Sequence, residues 1–498
     1  MEPRVRAAGL SNRCVPAPWR DSIAGVSLRG LWLFLAVALP MLAALLASLS
    51  SVDLTFHLRA GDEILAAGAI PSADTWTFTA SGLPWFDQQW LSEVALTVVY
   101  RLGGWTGLAV LRAILVGVVF ASLLAIAVRR GLAPRTAALL TIVAFGIAAP
   151  ALALRAQLFG MAFFAITLVL VTERGRHPGW LWAIPVLVVP WANIHGSFFL
   201  APLVLGLSWL EDMVERSPLR HRALVVGVIT AVTACLTPFG PAVWAYAVGL
   251  STNPEVTRRI TEWQPTSIRD ATGVLFFISV AAVGLMIARR DRPVAWPTMS
   301  WLGVFVAIGL YAQRGLAWWP LAAVPVVAAL LPSALATAPE LPARRSMQRM
   351  NAVVTALVVL AGVALLPAWR PIEPATGVPV GVLTDAPPGV TAALREATGP
   401  GDNVFNPQPW GSWFEFAVPE ARYALDSRIE FFPPEVWDAY EGVVVGAAGW
   451  EERLEAWHVA AVVLQVEDSA FRDRLIDAGW KETYRDREGS VLVRATAT

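Results

Sequence analysis

Charge is scarce in this sequence, and lysine is almost absent. Asp, Glu, Lys and Arg make up 15% of the 498 residues, against roughly a quarter in soluble domains. The 38 basic and 38 acidic side chains cancel, which removes the net positive field a nucleic-acid partner would call for. Lys481 is the single lysine, so arginine carries the basic side, a bias expected of a GC-rich genome. Cysteine is nearly missing too. Cys14 falls in a predicted cytoplasmic tail and Cys235 near the end of a predicted membrane helix, so neither a disulfide nor redox chemistry is expected. A phosphate-binding glycine loop, Cys-x-x-Cys, HExxH and a nucleophile elbow are all absent, which excludes the common chemistries those motifs serve. No repeat or low-complexity tract stands out.

Apolar side chains are what the chain has in abundance. They make up 56% of it, the mean hydropathy is +0.56, and an integral membrane protein is the expectation. Runs of about twenty apolar residues place helices near 30–50, 105–128, 136–153, 158–173, 179–194, 197–214, 222–237, 271–289, 298–313, 316–332 and 351–368, about eleven crossings. Arg129, Arg130, Arg135, Arg174, Arg176, Arg216, Arg220, Arg222, Arg289, Arg290, Arg292, Arg344, Arg345 and Arg349 then sort to the side of the N-terminus. The positive-inside rule makes that side cytoplasmic. The first apolar run follows Arg4, Arg6, Arg13, Arg20 and Arg29. A signal peptide competes for this stretch, but the run is long enough to span and lacks a small-residue cleavage site, which favours a retained helix.

The expected organisation is a cytoplasmic tail (1–29), a multi-pass transmembrane domain (30–368) with outer loops 51–104 and 238–270, and an extracytoplasmic soluble α/β domain (369–498). In the last region Ala460–Leu464 and Ser490–Val493 read as strands, and Glu451–His458 and Ser469–Ala478 as helices. Trp76, Trp85, Phe86 and Trp90 of the first outer loop suit an interfacial aromatic belt, and a partly inserted helix is expected over 89–102.

Sorted by side, the polar residues are lopsided. Asp53, His57, Arg59, Asp62, Glu63, Arg155, Gln157, Asn193, His195, Glu262 and Arg314 all fall at or just beyond the outer ends of helices. Ionisable groups at that depth line cavities and carry function, although any one of them alone also suits a helix cap or an interface anchor. Asp53 reads as a general base or a metal ligand at the C-terminal end of the first span, the unfavourable end of the helix dipole. Asp53 and His57 share a face if the segment is helical, but two mixed ligands are a weak metal signal. Arg314 interrupts two apolar runs almost without a turn, and its guanidinium suits a bidentate phosphate contact or snorkelling to headgroups. Arg258 and Arg259 read as a solvated basic patch, His195 as a cap or turn residue, and Trp410-Gly411 as a turn leading to a strand that ends at Asp426.

Several stretches together resemble the GT-C membrane glycosyltransferases, nearest to oligosaccharyltransferase catalytic subunits. Asp53-Leu54-Thr55-Phe56-His57-Leu58-Arg59, with Gly68 to Asp74 after it, resembles their first outer loop; Ile260-Thr261-Glu262-Trp263-Gln264-Pro265-Thr266 resembles a later one. Trp410-Gly411-Ser412-Trp413, then Asp426, is similar to a degenerate form of their tryptophan-rich motif. The resemblance implies a sugar transferred, with inversion, from a polyprenyl-phosphate donor to an acceptor at the outer face. It puts Asp53 and Glu262 at the catalytic centre and Arg314 at the donor phosphate, with Arg155 and His195 as helpers. His57, Arg59, Gln157, Trp263 and Trp410 become candidates for acceptor or loop contacts. A divalent cation, Mg or Mn, would rest on Asp53 and Glu262, yet Leu152-Ala153-Leu154-Arg155-Ala156-Gln157 lacks the second acidic pair of the family. That departure, with the missing half of the tryptophan motif, favours a lipid or cell-envelope glycan acceptor over a protein. A flippase of lipid-linked glycans and a catalytically silent relative with a partner-binding outer domain are the alternatives.

Overall fold

The computed structural model describes residues 25–49, 52–331 and 345–494, without the side chain of Glu255. Most of the expected N-terminal tail, with Cys14, and Arg344 lie outside the described residues. Helices α1 (Leu28–Leu46), α2 (Leu54–Ala67), α3 (Trp90–Arg129), α4 (Pro134–Ala148), α5 (Ala156–Thr172), α6 (Ala183–Ala192) and α7 (Leu200–Val214) form the first half of the bundle. The second half holds α8 (Arg220–Thr233), α9 (Ala242–Thr252), α10 (Pro254–Arg259), α11 (Ala271–Ala288), α12 (Trp296–Tyr311), α13 (Trp318–Leu330) and α14 (Arg345–Ala364).

Among the described residues, six helices are long and apolar enough to cross a membrane: Leu28–Leu46, Trp90–Arg129, Pro134–Ala151, Gly196–Val214, Ala271–Ala288 and Arg345–Ala364. Ala156–Thr172, Pro178–Ala192, Ala242–Thr252 and Trp296–Tyr311 are apolar but shorter. The chain is a multi-pass membrane protein. On α14 Val353, Leu357, Val359, Leu360 and Val363 are exposed, as a lipid-facing surface requires.

One expectation about the first outer loop changes. The first span ends at Leu46, and Asp53 stands at the N-cap of α2, where the helix dipole favours a carboxylate rather than opposing it. The helices expected over 89–102 and 105–128 are both present, as two helical segments of α3 that part at Gly104 (φ 56°, ψ −150°), a conformation glycine takes without a Cβ clash. The N-terminal part of α3 lies against α2 so closely that a Cβ on Gly61 would stand 2.3 Å from the Glu93 carbonyl oxygen.

Arg112, buried inside α3, explains how the helix ends are held. Its Nε donates to the Leu152 carbonyl at 2.8 Å, and its Nη1 donates to Ser48 at 2.7 Å and Ala47 at 3.3 Å. These carbonyls have no partner further along their own helices, so one guanidinium satisfies the ends of two segments that lead directly to Asp53 and Arg155. At the opposite end of the bundle Arg174 pairs with Asp212 and Glu211, and Arg129 with Glu173.

After residue 387 the chain forms β1 (Asn403–Phe405), β2 (Arg422–Tyr423), β3 (Val459–Gln465), β4 (Trp480–Arg485) and β5 (Gly489–Arg494). The sheet order is β2-β1-β3-β5-β4, parallel from β2 to β3 and antiparallel beyond. Central β3 is apolar on both faces because helices cover both: α15 (Pro388–Ala397), α18 (Trp450–Ala456) and α19 (Ser469–Asp477) pack on the sheet, and α17 (Pro434–Val445) packs on α18. Trp410 to Trp413 lie inside α16 (Gln408–Ala417), not in a turn; the apolar residues of that stretch recur at helical spacing and bury the same face.

The expected aromatic belt is also corrected. Trp76 is 1% exposed, because it is enclosed by the arginines of two domains: Arg59 lies 4.8 Å and Arg428 4.4 Å from its ring centroid. Phe86 stacks on Phe239 and Tyr246, and Trp90 donates to Asn193, so these rings join protein segments to one another. Backbone bonds do the same: Tyr423 donates to the Trp76 carbonyl and Phe78 to that of Tyr423, attaching the first outer loop to the sheet edge. Arg428 completes the seam with buried ion pairs to Asp426 and, at 2.6 Å, to Asp74. Arg428→Leu strands both carboxylates, at a cost of about 3–5 kcal/mol. Hydrogen–deuterium exchange in detergent should show 72–80 and 422–431 losing protection while the interior of α3 keeps it.

Candidate functional site

Four separate turns converge at one end of the bundle. Asp53 occupies the N-cap position of α2; Arg155 precedes α5 in an extended conformation; Glu262 lies in the 3₁₀ turn Thr261–Trp263; and Arg314 lies in the 3₁₀ turn Gln313–Ala317.

Arg155 is the hub. Its Nη2 donates to Glu262 Oε1 at 2.6 Å and its Nη1 to Oε2 at 3.1 Å, a bidentate pair, while Nη1 lies 3.5 Å from Asp53 Oδ2. Arg314 approaches the same carboxylate, with Nε 4.0 Å from Glu262 Oε2. Gln157 clamps Arg314 from below: Nε donates to Gln157 Oε1 at 3.2 Å, and the Gln157 amide donates to the Arg314 carbonyl at 3.4 Å. The Arg314 guanidinium lies 5.5 Å from the Trp263 ring centroid, close enough for a cation–π contact.

The charges answer one another. Burial works against ionised Glu262, yet Arg155 and then Arg314 hold it below the usual carboxylate range. Burial likewise works against charged Arg155, and Asp53 and Glu262 more than offset it. Arg314 is shifted down by burial and by Arg155, though a guanidinium stays protonated at any physiological pH.

His195 is held far below its ordinary pKa by burial and by the two arginines. Its Nδ1 accepts from the Ser197 backbone N–H at 3.1 Å, so the neutral ring carries its proton on Nε2. His195 can donate to an anion but brings no charge, and it stands at the N-cap of the turn Gly196–Phe199, as its reading as a cap residue expects. His57 is buried one turn after Asp53, with Nδ1 3.1 Å from Glu93 Oε1. Asp87, pushed well above its usual range by burial and then by Glu93, completes a buried cluster that hydropathy reading did not find.

Other candidates go elsewhere. Arg59 donates to Glu63 and to the Glu415 carbonyl, and so anchors the C-terminal domain. Trp410 is buried against Phe414 and Gly489. Arg259 is no solvated residue: the C-terminal domain covers it, pairing it with Glu441 and Asp438 over the Trp437 ring. Conversely, Glu430 of the C-terminal domain comes within electrostatic reach of Asp53 and Arg314.

The acidic residues suit a divalent cation poorly. Asp53 and Glu262 already face Arg155, and an added cation would stand against two guanidiniums. Among the described residues no group of three or more His, Cys, Asp or Glu is placed to hold a metal ion.

No protein-family model matches the sequence, and no curated protein matches it. Solved structures do match. The archaeal oligosaccharyltransferase AglB from Archaeoglobus fulgidus, in complex with an inhibitory peptide and a dolichol-phosphate, superposes with TM-score 0.57 at 12% identity, over 94% of this chain and 74% of that one. This chain has the GT-C fold. The apo form of the A. fulgidus oligosaccharyltransferase gives TM-score 0.51 at 12% identity, over 96% of this chain and 75% of that one. ArnT from Cupriavidus metallidurans, bound to undecaprenyl phosphate, gives 0.48 at 16% identity, over 95% and 99% of the two chains. In the GT-C fold seen here, the convergent turns and the sheet domain lie on the same side of the bundle, joined through Trp76 and Arg428.

His57 offers a test of this packing. Burial lowers its pKa to about 4, with Asp53 and Asp87 opposing. The unfolded residue binds its proton near pH 6.5 while the folded one refuses it until about pH 4, so its contribution to stability falls across that window as pH drops. The loss is on the order of 3 kcal/mol. Thermal unfolding in detergent at pH 7 and pH 4.5 should show a smaller acid-induced drop in His57→Gln than in the parent protein.

Proposed function

We propose that this protein is a glycosyltransferase that moves a sugar from a polyprenyl-phosphate donor to a lipid or cell-envelope glycan acceptor at the outer face of a bacterial membrane. The observation that carries the reading is the adjacent pair of guanidiniums, Arg155 and Arg314, with a carboxylate between them at the end of a GT-C bundle. Two forked cations at a membrane surface suit a lipid-linked phosphate. Dolichol-phosphate is bound in the related AglB structure, which supports the same donor class here. About eleven crossings, a cytoplasmic N-terminus and an extracytoplasmic sheet domain complete the proposal, on the arginine distribution read from the sequence.

The chemistry is a single in-line displacement. The acceptor hydroxyl gives its proton to a carboxylate of the site, its oxygen forms a bond to C1 of the sugar, and the C1–O bond breaks with inversion. The electron pair leaves on the polyprenyl phosphate, where charge grows. Arg155 and Arg314 meet that charge and are fixed in advance, Arg155 by Asp53 and Glu262 and Arg314 by Gln157, so little reorganisation accompanies the reaction. Neutral His195 adds a hydrogen-bond donor. No step runs through a metal, because the arginines take up the carboxylates a metal would use.

Purified protein incubated with labelled undecaprenyl-phosphate hexoses and a membrane lipid extract tests this reading through loss of the lipid-linked label. Arg314→Ala and Asp53→Asn should each lower consumption by roughly a hundredfold or more, about 3 kcal/mol of transition-state stabilisation, while the variants keep the parental elution profile in detergent. Normal turnover by Asp53→Asn would remove Asp53 from the site. Translocation of intact donor in liposomes, without cleavage, would make the protein a flippase.

A further inference from the structure

The C-terminal sheet has a crevice that the transfer chemistry does not use. β1 runs on through α16 to β2 on one side of it, and β3 runs on through α19 to β4 at the far edge, so the connections after two adjacent parallel strands leave in opposite directions. Such a switch point opens a gap beyond the carboxyl ends of the strands, the place where α/β sheets take ligands. A cavity of about 200 Å³ lies there: Phe405 ends β1 and Gln408 follows it, Gln465 ends β3 and Asp468 follows it, and α17 contributes Tyr440 and Glu441.

The lining is mainly apolar with a few polar groups, as small-molecule sites are. Tyr440 stacks on Phe405 with ring centroids 4.9 Å apart, and its hydroxyl donates to the Asn406 carbonyl at 3.0 Å, which fixes the aromatic wall. Among the described residues no basic side chain lines the cavity, whereas Glu441 and Asp468 do, and that works against a phosphate or another anion. A cation is served no better, because Glu441 is already paired with Arg259 and Asp468 Oδ2 accepts from the Gln465 N–H at 3.1 Å. The groups left to meet a ligand are neutral. The Gln465 side-chain amide has no partner among the described residues. Gln408 donates to the Asp426 carbonyl at 2.9 Å, which leaves its Oε1 as an acceptor.

A side-chain amide both donates and accepts, and so does a hydroxyl, while an aromatic wall suits the C–H face of a sugar ring. The volume falls below the roughly 300–1,000 Å³ of sites for drug-sized ligands, which limits the occupant to one small ring. We infer that this crevice is a carbohydrate subsite that holds a neutral hexose unit of a glycan through Gln465, Gln408 and the wall formed by Tyr440. The lining also continues beyond it. Gln408 and Glu441 border a second cavity, of about 440 Å³, together with Arg258, Arg259, Ile429 and Trp437. A glycan seated at the switch point thus runs on towards α10, which contacts the turn that carries Glu262. That this glycan is the acceptor rests on the transferase reading above, whereas the hexose subsite itself does not.

Saturation-transfer NMR on the full-length protein, in a detergent without a sugar headgroup, tests the subsite with the methyl glycosides of glucose, mannose, galactose and N-acetylglucosamine as probes. At least one of the four should receive saturation from the protein. Gln465→Ala, and Gln465→Leu with its similar size but no donor or acceptor, should each weaken that binding by about tenfold through the lost hydrogen bonds. Both should keep the parental thermal midpoint, because the amide has no protein partner to lose. Transfer to none of the four probes overturns the inference, and so does parental affinity in Gln465→Ala. A parent protein that consumes labelled donor but binds no hexoside retains the transferase reading and loses the subsite. One that binds a hexoside but consumes no donor does the reverse.

Discussion

The guanidinium of Arg155, shared between Glu262 and Asp53, is the contact on which the arrangement of this end of the molecule depends. Taking an ion out of water costs several kcal/mol unless it is paired and hydrogen-bonded, and here the pairing runs between residues far apart in the chain. Asp53, Arg155 and Glu262 belong to three connections that have no other reason to meet. Arg314 adds a second cation beside the first, tolerable because Glu262 faces both. The outcome is a paired group of charges in which Arg155 and Arg314 both face the Glu262 carboxylate.

That group could not hold together if the helix ends were loose. Arg112 ties the end of α1 to the segment before Arg155 by taking up three carbonyls. The first outer loop is held from the other side, where Trp76 lies between Arg59 and Arg428 and its backbone pairs with the sheet edge. The sheet domain is thus tied to the first outer loop, and its Glu430 comes within electrostatic reach of Asp53 and Arg314.

Hydropathy and charge sorting went far in this chain because a membrane enforces contrast. Arg155, Gln157, Glu262 and Arg314 stood out as polar residues at or just beyond the ends of apolar runs, and they do meet. The strands at 460–464 and 490–493 were legible because their β-branched runs are buried on both faces. The same contrast misled where it was absent or borrowed. Trp76 had the composition of a belt residue, but its partners, Arg59 and Arg428, are arginines distant in sequence. Glu430, in a polar region full of carboxylates, gave no signal. Arg112 lay inside an apolar run, where its carbonyl partners could not be foreseen.

The amino-acid sequence by itself determined that the chain lies in a membrane, which segments are apolar enough to lie there, and which polar residues sit at their ends. Those properties are local, set by side-chain transfer energies and helix length. Tertiary structure decided the rest: that Asp53 begins a helix instead of ending one, that Arg155 is the partner of both Asp53 and Glu262, that His195 is neutral, and that the C-terminal domain packs on the first outer loop through Arg428 and Trp76. These depend on distances between residues hundreds of positions apart, and on burial that one segment imposes on another, so no reading of a single stretch contains them.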